Sequence, residues 1–201
     1  MKKISCSCNH VFEADLRDLI DIDQDTAELE KLAAGTFMTF TCPSCGTTVK
    51  PEYPIRVIWP SHNFDASVIP ELDRGSFERG ELRIENSLLV GYLELSDRIA
   101  VLKAKLEPIA IEALKYYLLL KADEAKPDAE VSAWFQNYSG DSIEFHLHGL
   151  RANEVAVSRI PYSLYERTLA DFHADENAEP FVSLRKGPYL SVQNLLKPEA
   201  E

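Results

Sequence analysis

Four cysteines in two close pairs are the residues of this sequence best suited to chemistry. Cys6 and Cys8 are separated by one residue, and Cys42 and Cys45 by two. Four thiolates satisfy the tetrahedral coordination of a structural zinc ion, and such sites are commonly built from two short knuckles that intervening structure brings together. The sequence therefore predicts one structural Zn²⁺ ion bound by all four cysteines.

The two knuckles differ in the strength of their local signals. After Cys42, Pro43 fixes a turn, and Gly46 permits a positive backbone angle that turns N–H groups toward the sulfurs. On an extended strand Cys6 and Cys8 would point the same way, so both reach one ion only through a local turn. His10 could replace one sulfur, because imidazole nitrogen is also a zinc ligand. The remaining alternative is a knuckle without metal, whose cysteines pack as small apolar side chains.

Other chemistries find less support in the sequence. A redox pair at C-P-S-C would need a helix N-terminus to lower its thiol pKa, but a strand or turn is predicted after Cys45, so a thiol–disulfide oxidoreductase is a minor alternative. Glu144, His146 and His148 share one face of a predicted strand and could bind a metal, although a half-solvated strand has the same alternation. No G-x-S-x-G, phosphate loop or H-E-x-x-H occurs, and no catalytic residue is predicted.

The charge balance narrows the classes of partner. The chain of 201 residues has 33 acidic and 21 basic residues and a formal net charge of −12. A surface of this sign repels phosphate backbones and anionic lipids, which disfavours general nucleic-acid and membrane binding. No apolar run has the length of a membrane span or a signal peptide, so a cytoplasmic location is expected. Thiols stay reduced there, which favours metal ligation over disulfides.

The elements around the cysteines predict a zinc-ribbon-like region over residues 1–60 with inserted helices. A short helix is expected around Leu16 to Ile20, and a second one between a capping box at Asp25 and Glu28 and a stop at Gly35. Strands are predicted on both sides of the second knuckle and at "YPIRVIWP". Residues 61–85 are polar and irregular, and are predicted to be a connector with at most one short strand.

Residues 86–201 are predicted to form an α+β region with a helical hairpin and a small antiparallel sheet, either separate from 1–60 or continuous with it as one domain. An apolar seam from Leu88 to Leu106 predicts a long helix, and Pro108 opens a second helix to form a helical hairpin. A β-hairpin at 139–141, a further strand, a helix after a capping box at Ser163, a short strand "FVSL" and a frayed tail "KPEAE" follow. The seam can pack internally in a monomer or form a homodimer interface, and the apolar face of the next helix favours internal packing.

Several of these segments together resemble a known family. The two knuckles, the segment "IDIDQDTAELEKLAAGTFMTFTCPSCG" and the strand "YPIRVIW" resemble the CpXC domain of bacteria and archaea, named for two Cys-Pro-x-Cys motifs. The second motif is intact at residues 42–45, whereas the first has lost its proline and one residue of spacing. The family has no assigned activity, so the resemblance implies a metal site and no reaction.

Together these observations predict a zinc-binding, non-enzymatic cytoplasmic protein that acts as a protein-interaction or regulatory module. The alternative is a nucleic-acid-associated zinc-ribbon module, since zinc ribbons often serve there, although the net charge argues against it. The sequence does not name the protein partner.

Overall fold

A computed structural model describes residues 1–127 and 129–196 of the chain. The fold is α+β, as predicted, and it divides into two compact units, Met1–Ser96 and Asp97–Glu201. No helix in the described part of the chain is both long and apolar enough to cross a membrane.

The first unit contains two small hairpins and a larger group of paired strands. β1 and β2 form one antiparallel hairpin, and β4 and β5 form the other. In the larger group β3 lies parallel to β6, β6 antiparallel to β7, and β7 parallel to β8. The elements are β1 (Lys2–Ser5), β2 (Val11–Ala14), β3 (Leu19–Asp21), α1 (Ala27–Ala33), β4 (Phe40–Thr41), β5 (Thr48–Val49), β6 (Ile55–Trp59), β7 (Phe64–Ile69), α2 (Arg74–Glu78) and β8 (Ser87–Val90).

Two local predictions for the first unit are wrong because contacts with residues outside the segment decide the structure. The helix expected around Leu16 to Ile20 is instead the strand β3, which pairs with β6. At α1 neither member of the predicted capping box caps the helix. The guanidinium of Arg17 donates to Asp25 and to Glu28, each at 2.7 Å, and these charge-assisted hydrogen bonds engage both carboxylates.

The predicted connector contains more regular structure than expected. Residues 61–85 include the six-residue strand β7 and the short helix α2. Phe64, Ala66 and Val68 alternate with polar residues and are buried, which is the period of a strand with one face in a core. Because β7 pairs with strands on both sides, this segment is a central part of the first unit.

The predicted helix from Leu88 to Leu106 begins later than expected. Its first residues form β8, and the helix is α3 (Gly91–Lys103), which begins in the first unit and ends in the second. Leu88, Leu89 and Val90 are buried in succession, which a strand covered on both faces explains and an amphipathic helix does not. Within α3, Leu95 and Ile99 are 0% and 3% exposed, so these seam residues are buried inside the single chain.

The second unit combines an antiparallel sheet, in the order β11-β10-β9, with helices α4 and α5. The predicted β-hairpin turn at 139–141 joins β9 to β10. α4 packs against α5 and β9, and not mainly against α3 as a helical hairpin would require. The elements are α4 (Pro108–Ala125), β9 (Ser132–Tyr138), β10 (Ser142–Arg151), β11 (Glu154–Pro161), α5 (Tyr162–Ala174), β12 (Arg185–Lys186), β13 (Tyr189–Leu190) and α6 (Gln193–Leu196).

The end of the chain differs from the prediction in two details. α5 follows Pro161 directly, and the expected capping box at Ser163 forms no side-chain cap. The segment "FVSL" at 181–184 is a turn, closed by the N–H of Leu184 donating to the carbonyl of Pro180 at 3.0 Å. The tail "KPEAE" at 197–201, predicted to be frayed, lies outside the described residues.

A buried ionic group links several elements of the second unit. The ammonium of Lys115 lies 2.5 Å from Asp97 Oδ2 and 2.8 Å from Glu112 Oε1. The other carboxylate oxygens accept backbone N–H groups, Asp97 from Phe135 at 2.7 Å and Glu112 from Val192 at 2.8 Å. These contacts satisfy both carboxylates and connect α3, α4, β9 and the C-terminal segment.

The pKa values of the two buried carboxylates are shifted in opposite directions. Burial raises the pKa of Asp97, and the charge of Lys115 offsets this only in part. For Glu112 burial also acts to raise the pKa, but the positive charges of Lys115 and Arg98 outweigh it and hold the pKa below its ordinary value.

Candidate metal centre

The first knuckle is a tight turn at the tip of the β1–β2 hairpin. The strands are in register from Lys2 opposite Ala14 to Ser5 opposite Val11, so residues 6–10 must reverse the chain. The N–H of Cys6 donates to the carbonyl of His10, and the N–H of Asn9 donates to the carbonyl of Cys6, both at 2.9 Å. This is the local turn that a C-x-C pair needs to aim both sulfurs at one point.

The second knuckle has the same construction with one more residue. It joins β4 to β5, and the N–H of Cys42 donates to the carbonyl of Thr47 at 2.9 Å. The N–H of Gly46 donates to the carbonyl of Cys42, also at 2.9 Å. Gly46 has φ +74°, and Asn9 takes the corresponding position in the first knuckle with φ +65°. The shorter spacing of Cys6 and Cys8 is thus absorbed inside the turn.

The two knuckles bring all four sulfurs together. The Sγ atoms of Cys6, Cys8, Cys42 and Cys45 all lie within 4.8 Å of one another, and all four cysteines are free. Two contacts join the knuckles, Cys6 to Cys45 at 3.6 Å and Cys8 to Cys42 at 3.8 Å. Zinc–sulfur bonds of about 2.3 Å in a tetrahedron separate the sulfurs by about 3.8 Å. The cluster therefore has the size and the donor set for one tetrahedral metal ion.

Backbone N–H groups are directed at the sulfurs, as the glycine of the second knuckle predicted. The N–H of Cys8 donates to the Cys6 sulfur, which lowers the pKa of Cys6. The hydroxyl and the N–H of Thr47 lower the pKa of Cys45 to about 6. The N–H of His10 acts to lower the pKa of Cys8, but the neighbouring thiols, Cys45 first, and burial outweigh it and raise that pKa to about 11. Adjacent thiolates repel one another, and a bound cation would remove this repulsion.

The other residues considered as ligands lie outside this cluster. His10 is not a member of the group of four, and its ring stacks with Phe12 at a centroid distance of 6.3 Å. On β10 the carboxylate of Glu144 pairs with Arg159 of the next strand at 2.8 Å. Within the described ranges, Glu144, His146 and His148 do not form a group close enough to share an ion.

Two residues of the site were missed in the sequence. Asn9 adopts the positive φ of the first knuckle, and the hydroxyl of Thr47 lies 3.2 Å from the Cys45 sulfur. Asparagine is one of the few residues with a side chain that tolerates this region, so its position directly after Cys8 was an available signal for the turn. The hydroxyl contact of Thr47 had no comparable signal.

Comparisons with known proteins agree with the cysteine pattern. The family described as "CpXC protein" matches residues 4–115, which include both knuckles. An uncharacterized protein of Treponema pallidum (strain Nichols) is 29% identical over 217 aligned residues, covering 97% of this chain and 98% of the relative. No solved structure matches this chain.

Proposed function

Because the chain belongs to the CpXC family, we propose that it is a zinc-binding protein whose ligands are Cys6, Cys8, Cys42 and Cys45. One observation carries this proposal: two separate hairpins place four cysteine sulfurs within 4.8 Å of one another. Four thiolates at tetrahedral spacing are the donor set typical of Zn²⁺ or an iron–sulfur centre. The backbone N–H groups directed at the sulfurs add favourable electrostatics for thiolate ligands.

The donor set supports a structural site over a catalytic one. A catalytic zinc keeps one coordination position for water or substrate, whereas four protein thiolates fill the tetrahedron. When bound, the ion would supply a cross-link between the two knuckles. The residues then act through their own geometry: the two turns hold four sulfurs at fixed spacing, and Thr47 donates to the Cys45 sulfur once that thiol is ionised.

The size of the hairpins explains why a metal would be needed. β4 and β5 contain two residues each, and β1 and β2 contain four each. A two-stranded hairpin of this length is marginal in water, because few ladder hydrogen bonds offset the entropy of ordering it. Zinc binding supplies that free energy where the ligands are far apart in sequence, as in a zinc ribbon. We infer that the ion stabilises residues 1–50 in this way.

Cobalt substitution tests the ligand set directly. Co²⁺ in the purified protein should show the thiolate charge-transfer and tetrahedral ligand-field bands of four-sulfur coordination. Replacing any one of the four cysteines with Ser should weaken or abolish these bands, and His10→Ala should leave them unchanged. If His10→Ala weakens the bands while Cys6→Ser or Cys8→Ser does not, the ligand set is a three-sulfur, one-nitrogen site, and the proposal is wrong in that member.

We further propose that the protein is a non-enzymatic cytoplasmic module whose partner is another protein. Its net charge of −12 supports a protein partner over a polyanion, since nucleic-acid affinity depends on positive charge facing the phosphates. A pull-down from the source cell, read by mass spectrometry, should recover a protein with the zinc-loaded chain and less of it with Cys42→Ser. Binding to mixed RNA and DNA that falls steeply with salt would instead support the nucleic-acid alternative.

A further inference from the structure

We propose that the cysteine cluster is also a site of covalent oxidation by hydroperoxides, which joins Cys6 to Cys45 and Cys8 to Cys42 and expels the metal. This inference rests on the proposed zinc function, because it describes what the same four sulfurs do when an oxidant reaches them.

The exposure of the four cysteine residues divides them into two kinds. Cys8 and Cys45 are exposed, whereas Cys6 and Cys42 are 5% and 1% exposed. An oxidant in solution therefore meets Cys8 or Cys45 first, because oxidation of cysteine follows accessibility as well as thiolate character. The two buried cysteines are the less accessible pair.

The sulfur of each exposed cysteine lies in contact with the sulfur of a buried cysteine from the other knuckle. Cys45 lies 3.6 Å from Cys6, and Cys8 lies 3.8 Å from Cys42. A disulfide bond is about 2.05 Å long, so each contact closes with a sulfur movement of less than about 2 Å. The site thus contains two pairs of thiols. In each pair the thiol of the exposed cysteine is oxidised first, and the thiol of the buried cysteine then forms the disulfide with it.

The reaction balances with one hydroperoxide for each disulfide. The exposed thiolate attacks hydrogen peroxide, forms a sulfur–oxygen bond, and releases hydroxide as the oxygen–oxygen bond breaks. The buried thiolate then attacks the resulting sulfenic acid, forms the sulfur–sulfur bond, and releases a second hydroxide. For each disulfide formed, two thiolates are oxidised and one peroxide is reduced, so two peroxides convert all four sulfurs. The ion leaves because a disulfide is not a thiolate ligand.

The pairing decides what happens to the fold. Disulfides within each knuckle would leave the β1–β2 and β4–β5 hairpins without a link once the ion is gone. Disulfides between the knuckles replace the link through the metal ion with covalent bonds at nearly the same positions. The oxidised first unit is therefore expected to keep its fold while it releases its metal.

Peptide mapping of the oxidised holoprotein tests this pairing. Zinc-loaded protein is treated with increasing hydrogen peroxide, released zinc is read with a chromophoric chelator, and disulfides are mapped without reduction. We expect complete zinc release at about two peroxides per chain, peptides from the two knuckles joined together, and reversal by dithiothreitol. A sulfenic-acid trap at low peroxide should label Cys8 and Cys45 and not the buried pair.

Single variants separate this inference from the zinc proposal. The variants Cys42→Ser and Cys8→Ser should each still form the Cys6–Cys45 disulfide on oxidation, even if they no longer bind zinc. The control variant Ser44→Ala should behave as the wild type. Disulfides confined within each knuckle, zinc retained at excess peroxide, or conversion straight to sulfinic acid would each overturn the inference while leaving a zinc site intact. A protein that never binds zinc but still forms both cross-links would refute the metal function and the metal release, and would support the pairing of the sulfurs.

Discussion

Replacing Lys115 with Met is expected to destabilise the second unit by about 3–5 kcal/mol. The Lys115 side chain is 4% exposed and lies within 2.5 Å of Asp97 and 2.8 Å of Glu112. Methionine keeps most of the apolar stem, so the loss is mainly electrostatic. The substitution leaves two carboxylates buried without the cation that they share. Removing one partner of a buried ion pair costs the full desolvation free energy of the charge that stays unpaired.

The pH dependence of the free energy of unfolding provides a second, independent test of this prediction. In the wild type the pKa of Glu112 is below its ordinary value, so its contribution to stability is present above the unfolded carboxyl pKa and is lost as the pH falls. Without Lys115, burial should raise the pKa of both carboxylates, so that the folded variant binds protons more readily than the unfolded chain. The stability difference between wild type and variant should therefore shrink as the pH falls from about 8 to about 5.

Urea unfolding at each pH measures the difference, and amide exchange in α4 and β9 locates it. Lys121→Met is the matched control, because Lys121 is an exposed lysine on the same helix and its replacement should change stability by no more than about 0.5 kcal/mol. Equal effects of the two substitutions, or a Lys115→Met penalty that grows as the pH falls, would refute the account of the buried group.

Two further predictions concern the thiols and a close backbone contact. Zinc binding at about pH 7.5 should release at least one proton but fewer than four, because Cys8 (pKa about 11) must ionise on binding whereas Cys45 (pKa about 6) is already mostly ionised. The zinc affinity should therefore rise with pH. Calorimetry in buffers of different ionisation enthalpy counts the released protons, and a count of four or none would contradict this prediction. Gly149→Ala should cost about 1–3 kcal/mol more than Gly140→Ala in urea unfolding, since a Cβ at 149 would lie 2.0 Å from the Glu130 carbonyl oxygen, whereas 140 has nothing within 4 Å. The φ angles are +93° and +94°, so equal costs would show that the clash relaxes.

Elements whose residues specify their own local structure were predictable from the sequence. Pro108 opens α4, the turn at 139–141 joins β9 to β10, and Gly46 closes the second knuckle as expected. Two of the failures share one cause, because a partner outside the segment decided the outcome. The start of the Leu88 seam is a strand because it pairs with β7, and Arg17 donates hydrogen bonds to both carboxylates of the expected capping box.

The candidate site was more predictable than the elements around it. The spacing of the cysteines indicated that they would meet, and the structure brings all four together. The turn of the first knuckle was not specified by a proline or glycine, and it rests on Asn9 instead. The buried ionic group was missed, although Glu112 and Lys115 lie three residues apart on a helix whose neighbouring residues are almost all apolar. That pattern was a usable signal that the two charges are buried together.

The zinc content per chain, measured by elemental analysis of protein purified without chelator, shows directly whether the four cysteines bind one ion. We expect about one zinc per wild-type chain and per His10→Ala chain, and far less in Cys8→Ser and Cys42→Ser. The result for Cys8→Ser decides whether the shortened first knuckle is half of the site. Wild-type protein with little zinc and four freely titrating thiols, or Cys8→Ser protein with its full zinc content, would contradict a four-cysteine centre.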